Sequence, residues 1–100
     1  RKEIMKQVKA GHSISIVAQF FDAGGNIGAA PDNKPGWSID PVGGTLTVAA
    51  DGMSAVFLAG YGLGLIGVTV ECASGGVPKV HSEQIQIIPG DIEAILFAIN

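Results

Sequence analysis

The stretch GLGLIG at residues 62 to 67 places Gly62, Gly64 and Gly67 in the G-x-G-x-x-G spacing of a dinucleotide-binding loop. That chemistry needs a strand before the loop and a helix after it, because amides at a helix N-terminus hold the pyrophosphate. The preceding MSAVFLAG (53 to 60) reads as a strand. The following residues do not read as a helix. Val68, Thr69 and Val70 are β-branched and favour extended backbone, and Gly75, Gly76 and Pro78 would break a helix within about three turns. The acid expected roughly 20 positions on would be Glu83, which lies in a polar-apolar alternation rather than at the end of a βαβ unit. The motif therefore reads as a glycine-rich connection, and no cofactor is expected.

The remaining reactive residues are sparse. Cys72 is the single cysteine, so an internal disulfide is excluded; it falls in the apolar series Ile66, Val68, Val70, Cys72 and is expected in the core. A nucleophilic role would need a histidine base, and neither His12 nor His81 has flanks resembling such a site. Asp22 with Asn26 hints at a calcium loop but lacks the required order of ligands. His81 and Glu83, two apart in a strand, share a face and would need a third ligand to hold a metal; a solvated face is the expected reading. Asp22, Asp32, Asp40, Asp51 and Asp91 sit at turns or strand ends, where aspartate bonds nearby amides. No catalytic, metal or cofactor residue is assigned, and no enzyme is expected.

Composition sets the class of molecule. A chain of 100 residues that is 47% hydrophobic is expected to be one folded domain, and its apolar runs are too short to span a bilayer. Charged residues are 15% with a net charge of −3, which offers no basic surface for nucleic acid or anionic lipid. Arg1, Lys2, Lys6 and Lys9 crowd the start and read as a solvated terminal segment. No signal peptide or targeting motif is visible.

Along the chain, short strand-forming runs alternate with Gly, Pro, Asp and Asn. HSISIVAQFFD (12 to 22) sets Ile14, Ile16, Ala18 and Phe20 against Ser13, Ser15 and Gln19, the period of a half-buried strand, and ends in the turn DAGGN. After a proline-rich loop, GWSID (36 to 40) points Trp37 and Ile39 inward. TLTVAADGMSAVFLA (45 to 59) reads as a hairpin whose Asp51-Gly52 suits a mirror-image turn. LIGVTVECA (65 to 73) and VHSEQIQII (80 to 88) follow, joined by SGGVPK. EIMKQV, near the start, fits a strand or one turn of helix equally well. About seven strands with such spacing describe an antiparallel β-sandwich.

The order DAGGN (22 to 26), WSID (37 to 40), AADGMSAVFLAG (49 to 60), GVTVECA (67 to 73) and IQIIPGD (85 to 91) resembles the bacterial immunoglobulin-like domains of surface adhesins and of phage tail and virion proteins. The resemblance covers about residues 12 to 91. It implies an all-β immunoglobulin-like sandwich over 1 to 90, Trp37 as the anchor between two sheets, and a tight turn at Gly67 before the V-T-V strand. It also implies a non-catalytic structural or adhesive role at a virion or bacterial cell surface, through contacts with neighbouring subunits or domains.

Two segments stand apart. In GYGLGLIG, Leu63 or Leu65 is expected to cap the open end of the sandwich; exposed together with Tyr61 they would instead form a contact patch. Residues 91 to 100 carry Ile92, Ile95, Leu96, Phe97 and Ile99, too much apolar surface to leave in water. They are expected to be an extra C-terminal strand, the first strand of a following domain, or a strand added to a neighbouring subunit as in a homo-oligomer. The second functional class is a binder of surface glycans, for which Tyr61 is the one obvious stacking residue.

Overall fold

A computed structural model of the chain describes residues 6 to 98. Seven strands form: β1 (Lys6–Lys9), β2 (Ser13–Val17), β3 (Gly36–Asp40), β4 (Gly44–Val48), β5 (Ser54–Ala59), β6 (Gly64–Ser74) and β7 (Val77–Ile88). They make one sheet in the order β1-β7-β6-β3 and a second in the order β2-β5-β4. All pairs are antiparallel except β1 with β7, which runs parallel from Lys6 opposite Ile85 to Lys9 opposite Ile88. Of the segment EIMKQV, the part from Lys6 onward is strand; the rest lies outside the described residues.

Alternation decides which side chains meet. In β5, Ala55, Phe57 and Ala59 point inward and Phe57 is completely buried, whereas Val56 and Leu58 face out. From the other sheet, Ile66, Val68, Ile85 and Ile87 close over Phe57, with Val8 beside them. Burying one such side chain contributes about 1.5–3 kcal/mol, so this small cluster dominates the stability of the fold. The inward residues of β2 and β3 (Ile14, Ile16, Trp37 and Ile39) are only half-buried. Trp37 ties the sheets together: its Nε1 donates to the Gly52 carbonyl at 2.7 Å, reaching from β3 to the β4–β5 turn.

The turns depart from the sequence expectation in instructive ways. Asp51 keeps a negative φ, and Gly52 alone is left-handed at 74°, with its amide bonded to the Ala49 carbonyl. The hairpin forms, but through a four-residue turn rather than a mirror-image one, because Gly52 must sit beneath Trp37 against Lys34 and Pro35. The mirror-image turn is at Gly75 and Gly76, with φ of 59° and 77°, where SGGVPK was expected to be only a connection. Both strands run to its tip, Ser74 opposite Val77. Pro78 fits there because alternation puts Ala73–Pro78 at a non-bonded pair, so the missing N–H removes no ladder bond.

Three further expectations are corrected. Gly67 makes no turn; it lies inside β6, opposite Asp40 and Gln84. Leu63 and Leu65 cap nothing and are exposed at 59% and 45%, alongside Tyr61 at 84%. Residues 91 to 98 add no strand to this molecule. β7 ends flanked by β1 and β6, so no sheet edge is available where the chain leaves it.

Trp37→Phe keeps an aromatic ring but leaves the buried Gly52 carbonyl without its donor, and should lower the unfolding free energy by about 1–3 kcal/mol. Phe57→Ala should cost more, about 3–5 kcal/mol, through the cavity it leaves. Urea unfolding of the two variants checks both the size and the order.

Candidate functional site

Along β7, Ile87 and Ile85 face the core, and the residues that continue on that face are Glu83, His81 and Lys79. Opposite them on β6 stand Val68, Val70 and Cys72. The apolar series thus continues on β6 while β7 turns polar. No sheet can close over charged groups without desolvating them, so the two sheets part at this level. The result is a groove of about 660 Å³ between the edges of β2 and β7. Ile14, Ile16 and Phe20 form one wall, Val70 and Cys72 the floor, and Lys79, His81 and Glu83 the lip.

The lip is internally paired. His81 Nε2 lies 2.7 Å from Glu83 Oε2, both side chains largely in solvent. They share a face and stand largely in solvent, as the sequence suggested, and their even spacing from Ile85 and Ile87 puts that face on the side of the groove. Cys72 is nearly buried, as expected, and pairs across the hairpin with Lys79. Its thiol makes no hydrogen bond with either histidine: His81 is engaged by Glu83 and His12 by Asp91. Among the described residues, no group of three or more His, Cys, Asp and Glu side chains is placed to hold a metal ion. No helix among them is long and apolar enough to cross a membrane.

The aspartates act as local clips. Asp22 Oδ1 accepts from the amides of Gly24 and Asn26, each at 2.9 Å, and both its oxygens accept from the Asn26 side chain. The residues that hinted at a calcium loop thus satisfy one another. The Asn26 hydrogen bonds hold the Asp22 carboxyl below its ordinary value of 3.8. Asp32 Oδ2 accepts from the Gly76 amide and Asn33 Oδ1 from the Ala73 amide, each at 2.9 Å, which latches the proline-rich loop onto the β6–β7 hairpin. Asp91 Oδ2 lies 2.8 Å from His12 Nε2, and Lys9 is within 3.8 Å of Oδ1. The His12 hydrogen bond, then its charge, lowers the Asp91 carboxyl too. These groups fix where the chain departs from β7.

Beyond Asp91, Ile92, Ile95, Leu96 and Phe97 are exposed at 81%, 79%, 90% and 89%. Among the described residues the molecule therefore carries a groove with an apolar floor and a charged lip and, separately, an apolar extended segment. Tyr61 stands apart from the groove, its hydroxyl beside Gly11. Comparison with known protein families finds no matching family model, and comparison with curated proteins finds no match.

Because the Asp22 carboxyl is lowered by uncharged donors, its clip is present above pH 3.8 and is lost as pH falls through the lowered value. NMR titration should show the Gly24 and Asn26 amides shifting together below pH 3.8, and Asp22→Asn should abolish that transition.

Proposed function

We propose that this chain is a non-catalytic immunoglobulin-like module of a phage virion or bacterial surface protein, working through protein–protein contacts. The strand order supports the fold assignment. β2-β5-β4 and β3-β6-β7 reproduce the B-E-D and C-F-G orders of an immunoglobulin sandwich, with β1 as the first strand laid beside the last. Trp37 stands on the third strand, where such sandwiches place their core tryptophan. The motif order of the sequence points the same way.

The observation that carries the functional reading is the exposed apolar segment after Asp91. Four large apolar side chains at 79–90% exposure are far more than scattered surface residues, and an apolar patch of this kind marks a contact surface. The chemistry elsewhere is structural: the aspartates bond to neighbouring amides, and the histidines to carboxylates. A carbohydrate-binding module remains the alternative, favoured by Tyr61 at 84% exposure next to Leu63.

Light scattering of the full chain should give a mass that rises with concentration, and Ile95→Asp with Phe97→Asp should return it to one chain. A glycan array should stay blank. A monomer with defined glycan hits that vanish in Tyr61→Ala would move the assignment to the carbohydrate reading.

A further inference from the structure

We draw no further inference here: the strongest candidate, the groove between β2 and β7 with Val70 and Cys72 on its floor and Lys79, His81 and Glu83 on its lip, carries none because nothing among the described residues shows what covers it.

Discussion

Two β-sheets stay together only where both offer apolar side chains to the space between them, and in this chain β7 withdraws its share halfway along. Ile87 and Ile85 meet Phe57 and Ile66, and there the sheets close around a completely buried aromatic ring. Two residues further, the same face of β7 carries Glu83, then His81, then Lys79, while β6 goes on supplying Val70 and Cys72. Closing the gap would strip water from charged groups with one carboxylate–imidazole contact to compensate, a loss larger than the gain from a few methyl groups. The groove and the half-burial of Ile14 and Ile16 follow from that switch.

With so short a core, order at the periphery comes from hydrogen bonds to aspartate and asparagine. Asp22 closes its own turn, Asp32 and Asn33 hold the long hairpin at its tip, and Asp91 is held by His12 and Lys9 where the chain leaves the sheet. Each of these contacts is exposed and individually modest. Their placement matters more than their strength. They secure three loops that have no apolar anchor of their own, and the last of them sets the point from which the apolar segment projects. Across the sheets, the Trp37 bond to Gly52 does the same work for the β4–β5 turn.

Much of the architecture was legible from alternation. Gly36–Asp40 is a strand with Trp37 and Ile39 inward, as its pattern required, and β2 turns Ile14 and Ile16 inward as its alternation did. Turn type was less legible, because Asp51-Gly52 and Gly75-Gly76 compete for the same mirror-image geometry and only packing beneath Trp37 separates them. The groove was hidden for a deeper reason. Periodicity tells which residues share a face, not whether a second layer covers that face. The two-residue spacing from Ile87 through Ile85 to His81 was nevertheless a readable sign that the charged residues of β7 point inward. Nothing in local sequence could tell whether the segment after Asp91 returns to its own sheet; in the structure Ile92, Ile95, Leu96 and Phe97 stand exposed.

An open groove and a segment that does not fold back make a definite claim about size in solution. Small-angle scattering of the dilute single chain measures it. The expected result is a radius of gyration near 16.9 Å and an elongated particle. A value near 13 Å, that of a compact domain of this length, would mean that the segment lies in its own groove and the sheets are closed, contradicting the account.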